Sequence, residues 1–333
     1  MLMHSAESSR EELLSVLAAI DLAPPDVHLA GRPVPSHLAA PVQGAAPQPP
    51  LQRTLQHALY QYAYCHRFRA DWDSASPVAE EVTARLQQAN GSRDHWEHGW
   101  NVVALEPTGP IRAVRGGEER ALWPGEFMNY AGAGGPVQLG SIVSVYCPAE
   151  ATRLQPGFFH AFGETILSED PRDGLRFYWN VSLEGAEALL RSLVPVLNRF
   201  QVPFRLKCPV YASMYSRRDT VVLYVATRWQ QVTAQLISLM YEQLAEHVRD
   251  DVPLFTYRLH PGVALAGEPG NGESFGMHRC RLVAEGILEA HEHGRKSAAD
   301  RLAAVRTRFA LDGLALDRPH HGPDQMGLAE VLA

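Results

Sequence analysis

Between residues 175 and 293, short β-type runs and amphipathic helices alternate in one order, and that order leaves the chain few folds. L-R-F-Y-W-N-V (175–181) reads as a strand, followed by a helix carrying Leu189, Leu193 and Leu197. P-F-R-L-K-C (203–208) and T-V-V-L-Y-V-A (220–226) are two more strands, joined by a polar loop through Arg217, Arg218 and Asp219. A long helix then sets Val232, Leu236, Met240, Leu244 and Val248 at i+4 steps, and P-L-F-T-Y-R-L (253–259) is a fourth strand. A Gly-rich loop (261–272) leads into a helix near 275–290. The order βαββαβ predicts the split βαβ arrangement. This is an α+β fold with a mixed or antiparallel sheet and its helices packed on one face.

The N-terminal part is more helical. Residues 7–20 place Leu13, Leu14, Leu17 and Ile20 on one helix face, with Ser8 or Ser9 as cap. Eight prolines in the 27 residues from Pro24 to Pro50 then predict an extended linker or surface arm. Leu51, Leu55, Leu59 and Tyr62 mark a helix over 51–68. Ser76 and Pro77 open another, carrying Val78, Val82 and Leu86 and ending at Asn90 and Gly91. W-N-V-V-A-L, P-I-R-A-V and S-I-V-S-V-Y, between Trp100 and Pro148, are β-type runs separated by Gly-Pro and Gly-Gly turns. The expected organisation is an arm (1–50), a main domain (51–293) and a C-terminal helix with its tail (294–333). Within the main domain, 51–150 is helical plus β and 151–293 holds the βαββαβ unit.

Several function classes fall away on composition. A net charge of -7 argues against a general nucleic-acid binder. No apolar stretch approaches the ~18 residues of a membrane span, and the first residues lack a basic flank and an apolar core for secretion. Cys65, Cys147, Cys208 and Cys280 lie far apart with no C-x-x-C pair, as expected of reduced thiols in a cytoplasmic protein. Neither a nucleic-acid nor a membrane partner is expected.

Alternation on the predicted strands gathers cations. Arg176, Tyr178 and Asn180 share one face of 175–181, Arg205 and Lys207 one face of 203–208, and Thr256 and Arg258 one face of 253–259. With helices on the apolar face, these residues and Tyr224 would line one open surface. An acidic protein that collects arginines there suits an anionic substrate, and planar guanidinium groups suit phosphate. Only Lys207 and Lys296 are lysines among 30 basic residues. A lysine can act as a base where an arginine cannot.

The stretch Gly267 to Ser274 fits G-x-x-x-x-G-x-S, but Glu273 stands where a nucleotide-binding loop needs its lysine, which excludes a nucleoside triphosphate. Two readings of the helix start stay open: backbone N–H groups that hold an anion near His278, Arg279 and Arg281, or a plain entry capped by Ser274. His95 and His98 have metal-ligand spacing without a third ligand, so no metal is expected.

These motifs resemble the HopA-type bacterial effector domain. The resemblance is carried by Arg176-Phe-Tyr-Trp-Asn180, Val202-Pro-Phe-Arg-Leu-Lys-Cys-Pro209, Tyr215-x-Arg217-x-Asp219 and Val222-Leu-Tyr224. Pro253-Leu-Phe-Thr256, Pro261-Gly-Val263, Gly272-Glu-Ser-Phe-Gly276 and His278-Arg-Cys-Arg281 continue it, and N-G-S-R-D-H-W-E-H-G-W and P-G-F-F-H-A-F-G-E extend it towards residue 51. The family includes plant-pathogen effectors and lyase partners of class V lanthipeptide and thioamitide dehydratases. The latter setting implies a separate phosphotransferase that phosphorylates Ser or Thr of a precursor peptide. The HopA-like subunit then eliminates phosphate to leave dehydroalanine or dehydrobutyrine, without a cofactor. No kinase domain is attached, as expected of such a separate subunit, and the short N-terminal arm, without a long effector-like secretion region, favours this setting over the effector one.

Carried onto this chain, that chemistry makes Lys207 the expected base, His278 the first candidate acid and Tyr178 or Tyr224 the fallback. Arg176, Asn180, Arg205, Arg217, Asp219, Tyr224, Arg258, Glu273, Ser274, Arg279 and Arg281 are the expected substrate contacts. The competing expectation is a non-catalytic peptide- or protein-binding module.

Overall fold

The computed structural model describes residues 2–35, 48–72, 80–129, 135–167 and 174–322. Helix α1 (Leu2–Ala19) buries Leu13, Val16 and Leu17, one stripe at helical spacing. It runs into three short strands, β1 (Ile20–Ala23), β2 (Asp26–Leu29) and β3 (Arg32–Pro33), which form an antiparallel sheet. This corrects the expected arm. Ile20, Leu22, Val27 and Leu29 alternate inward, while Pro24 and Pro25 form the turn between β1 and β2. Pro33 sits on an edge strand, where a missing N–H is tolerated. Residues 36–47 of that stretch lie outside the described residues. The N-terminus is tied to the core: Arg218 donates to Glu12 at 2.6 Å, and Arg301 Nη1 donates to the carbonyls of Leu17 and Ile20, each at 2.6 Å.

Helix α2 (Pro50–Leu59) starts with proline in its first turn and closes in a single π turn, Tyr60–Tyr64. Helix α3 (Thr83–Ala89) is shorter than expected; Ser76, Pro77 and Val78 lie outside the described residues. Strands β4 (His95–Leu105), β5 (Ile111–Arg115), β6 (Glu118–Leu122), β7 (Phe127–Asn129) and β8 (Ile142–Cys147) make an antiparallel sheet of order β6-β5-β4-β8-β7. It has its own small core of Trp100, Val102, Ile111, Val143 and Val145.

The remaining elements are β9 (Glu150–Gln155), β10 (Phe158–Phe162), β11 (Leu175–Trp179), α4 (Leu183–Arg199), β12 (Arg205–Pro209), β13 (Val221–Val225), α5 (Gln230–Leu244), β14 (Tyr257–His260), β15 (Val263–Gly267), α6 (Phe275–Glu292) and α7 (Ala298–Leu311). Their strands form one sheet of order β14-β15-β11-β13-β12-β10-β9, antiparallel at every junction. β11 and β12 run parallel with β13 inserted between them, and β13 and β15 run parallel with β11 inserted. These are two interlocked split βαβ units, as the sequence order predicts. The fourth strand differs. It is β15, inside the stretch read as a Gly-rich loop, and the segment read as a strand narrows to the edge strand β14. Val263 to Gly267 is buried on both faces, so it lacks the period-two signature of a half-exposed strand. Gly262, at φ +66°, makes the turn before it; a Cβ there would lie 2.1 Å from the Arg249 carbonyl oxygen.

The helices of the split units, α4 and α5, pack on one face, against Phe177, Trp179, Leu206, Leu223 and Leu265. Each fully buried side chain of this size contributes about 1.5–3 kcal/mol. The opposite face is not the open surface that alternation suggested. Tyr178, Val222, Ala264 and Ala266 join a second core with Leu55, Leu59, Tyr64, Phe275 and Val283, so α2, the π turn and α6 cover it. Gly276 permits the close approach of α6, because a Cβ there would fall 2.5 Å from the Tyr64 ring. The cover thins towards β12 and β10, where Phe158, Phe162, Arg205 and Lys207 are half-buried. Among the described residues no helix is long and apolar enough to cross a membrane.

Candidate functional site

The register builds two rows across the covered face. Arg176 on β11 opposes Tyr224 on β13, which opposes Arg205 on β12. One step along, Tyr178 opposes Val222, Val222 opposes Lys207, and Lys207 opposes His160 on β10. Of the residues expected from alternation to converge, Arg176, Tyr178, Arg205, Lys207 and Tyr224 lie side by side in these rows, whereas Asn180 and Arg258 are engaged elsewhere. The Arg205 guanidinium lies 4.4 Å from the Tyr224 ring centroid and that of Arg176 lies 5.2 Å from it. Lys207 Nζ rests 4.3 Å from the ring centroid of Phe158.

The cations of this cluster are not equivalent. Arg176 is buried and donates two hydrogen bonds, of 2.6 and 2.5 Å, to the carboxylate of Glu268. Arg205 and Lys207 form no ion pair among the described residues, and Arg205 Nε has no acceptor. Burial pushes the Tyr224 phenol up, but Lys207, Arg176 and Arg205 outweigh it and hold it below its ordinary value. Burial raises Tyr64 and Tyr178 instead. His160 is brought down to about 4 by burial and by the charges of Arg205 and Lys207.

Arg217 and Asp219 form a separate buried ion pair, with hydrogen bonds of 2.8 and 2.7 Å, and Arg217 also donates to the Tyr60 hydroxyl at 2.9 Å. Burial opposes the Asp219 charge, but Arg217, with Lys207 behind it, keeps the carboxyl below its usual range. The pair fastens the π turn to the sheet and leaves Arg217 engaged.

Seven expected site residues do other work. Asn180 donates to the Asp251 carbonyl at 2.8 Å and accepts from Arg249 at 2.9 Å, tying down the loop after α5. Arg258 faces Asp250 at 3.6 Å from the edge strand β14, two strands from β11. Ser274 accepts from the Met277 N–H and caps α6, the feature on which the plain-entry reading rests. Glu273 accepts from Arg281 at 3.0 Å, and Arg281 also binds Glu285 at 3.0 Å. Arg279 is wholly buried and donates to the carbonyls of Pro319 and His321 at 2.7 and 2.6 Å. His278 Nδ1 accepts from Arg279 at 2.5 Å, and its Nε2 faces Asp312 at 3.4 Å. Burial and the neighbouring arginines lower His278 to about 3, so the ring is unprotonated near neutral pH with both nitrogens already engaged, which argues against it as the first candidate acid.

Two cluster members escaped the sequence reading. Glu268 was hidden because β15 was not read as a strand. His160 lies in P-G-F-F-H-A-F, where alternation puts it on one face with Phe158 and Phe162 once that run is taken as a strand. Among the described residues no group of three His, Cys, Asp or Glu side chains could hold a metal; His98 instead hydrogen-bonds Ser144 at 2.6 Å.

The sequence model of the HopA1 effector protein family matches residues 149–321. The chain belongs to the HopA1 effector protein family. The HopA1 region holds the whole seven-stranded sheet with α4 to α7, including the Arg205, Lys207 and Tyr224 cluster. It starts later than the expected residue 51, leaving N-G-S-R-D-H-W-E-H-G-W outside, and runs past 293 to His321. Two solved effector structures are similar to the chain. The effector protein from Pseudomonas syringae pv. tomato strain DC3000 shares 16% identity at a TM-score of 0.39. That from Pseudomonas syringae pv. syringae strain 61 shares 14% at 0.36. Each match covers 49% of this chain and 62% of the effector's own length. No curated protein matches the chain.

Proposed function

We propose that this protein is a phosphoserine/phosphothreonine lyase acting on a precursor peptide that a separate kinase has phosphorylated. The observation that carries the reading is the pair Arg205 and Lys207: half-buried, without a counter-ion among the described residues, and set around a phenol, Tyr224, held below its ordinary pKa. Such a cluster suits an anionic ester that must lose both a proton and its phosphate. In the proposed step Lys207 Nζ takes the α-proton, the electron pair forms the Cα=Cβ bond, and the Cβ–O bond breaks. Phosphate leaves with the electron pair. Arg205 stabilises its charge, and Tyr224, in place of His278, donates a proton to it. Arg176 holds the Tyr224 ring while Glu268 holds Arg176. The four cysteines are free and buried, which suits a reducing cytoplasm.

The test is direct. A synthetic phosphothreonine peptide is incubated with the protein, with and without the candidate kinase, and mass spectrometry looks for loss of phosphoric acid. Unchanged phosphopeptide in both mixtures would end the lyase reading. A second reading, a non-catalytic peptide- or protein-binding module, draws on the five-stranded sheet, which leaves Val103, Met128, Ile142 and Tyr146 exposed. It predicts retention of a peptide or protein without turnover.

A further inference from the structure

His160 stands on β10 directly opposite Lys207 in the β10–β12 ladder. It is 2% exposed, and neither Nδ1 nor Nε2 has a hydrogen-bond partner among the described residues. A neutral imidazole carries one N–H donor and one lone pair, and burying both unpaired is unfavourable. Such a residue points to a group that completes it. The charges acting on His160 are those of Arg205 and Lys207. Both cations sit on its own sheet face and neither has an ion-pair partner among the described residues. A third cation there would only add repulsion. A neutral donor can join the two cations around one anion without burying another charge.

We propose that His160 is the neutral hydrogen-bond donor of an oxyanion site shared with Arg205 and Lys207, and that a phosphoryl group occupies it. The proposal deepens the lyase reading and rests on it for the identity of the ester. Donors from two adjacent strands, two of them charged once Lys207 has taken the α-proton, suit a tetrahedral dianion with several acceptor oxygens as it leaves. His160 would hold an oxygen of the phosphate as it leaves.

The test uses inorganic phosphate and the full chain with ¹⁵N-labelled histidine. Phosphate is titrated at pH 7.5 while the imidazole nitrogens are followed by NMR. One imidazole signal should shift with saturation and be missing from His160→Phe. His160→Phe should bind phosphate about 10-fold more weakly. His160→Asn should recover part of the loss, since its amide also donates. If His160→Phe does not fold, the wild-type signal and His160→Asn still decide. An unmoved His160 signal at saturating phosphate, or equal phosphate affinity in wild type and a folded His160→Phe, overturns the proposal. Phosphate binding through His160 without elimination from the phosphothreonine peptide would keep this site and end the lyase reading. Elimination with phosphate affinity indifferent to His160 would do the reverse.

Discussion

The guanidinium of Arg205 lies over the ring of Tyr224, 4.4 Å from its centroid, and the ladder between β12 and β13 places the two residues directly opposite each other. The contact couples a cation to an aromatic face and sets positive charge beside a buried phenol. Arg176 approaches the same ring from β11. Tyr224 is thus positioned by strands on both sides, and Phe would keep its shape while removing its proton. In the phosphopeptide assay Tyr224→Phe should lower kcat by about 10² or more with little change in KM. Wild-type activity should fall at high pH as the phenol ionises and can no longer donate; the variant's residual activity should lack that limb. A kcat equal to wild type would remove Tyr224 as the acid.

Lys207 and Arg205 share the face but not the assigned role. Lys207→Ala should lose roughly 10²–10⁴ in rate, so that phosphorylated peptide accumulates when the kinase is present. Lys207→Arg should be nearly as damaging, because guanidinium keeps its proton. A lysine that only bound phosphate would tolerate arginine, so full activity of Lys207→Arg would leave Lys207 a binding role alone.

The arginines of the sheet face should separate into two classes. Glu268→Gln leaves the Arg176 charge buried without its carboxylate and should cost about 3–5 kcal/mol of stability. Arg205 has no ion pair among the described residues and is half-buried, so Arg205→Ala should leave the urea midpoint close to wild type. It should still weaken phosphopeptide turnover about 10-fold or more, by removing a charge-assisted contact. Equal destabilisation by the two substitutions in urea denaturation would contradict this division.

Strand alternation made most of the cluster legible. Arg176, Tyr178, Arg205, Lys207 and Tyr224 lie on strands whose apolar partners Phe177, Leu206 and Leu223 fix the face, so the register follows from the pattern. What the pattern could not show was the second helical layer. Helix α6 carries buried residues around much of its circumference, among them His278, Arg279, Cys280 and Leu282, and gives no sign of which sheet face it covers. The same gap sent Arg279, His278 and Ser274 to the site, although Ser274 caps α6, Arg279 holds the chain at Pro319 and His321, and His278 faces Arg279 and Asp312. The prolines between Pro24 and Pro33 misled in the other direction. Two of them form a turn and the third sits on an edge strand, both places where proline is compatible with a sheet.

Three buried histidines give the folded protein a pH dependence of definite sign. Burial, reinforced by neighbouring cations, lowers His160 to about 4 and His278 and His320 to about 3. Their exposures are 2%, 3% and 7%, so solvent does little to screen the effect. In the unfolded chain each titrates near the ordinary histidine value of about 6.5. Above that pH both states are neutral and the full stability is present. As pH falls below it, the unfolded chain binds protons that the folded protein cannot, and stability is lost progressively until the folded values near 4 and 3 are passed. Each histidine weakens the fold by up to roughly 1.4 kcal/mol per pH unit in that window. Carboxylates such as Asp219 act lower, below their ordinary range near 4. Urea denaturation at pH 7 and pH 5 therefore isolates the histidines: the midpoint should drop at pH 5. Replacing His278 and His320 with Gln should flatten that drop, because an amide cannot be protonated over this range. A wild-type midpoint that is level from pH 7 to pH 5 would show that these imidazoles do not resist protonation in the fold.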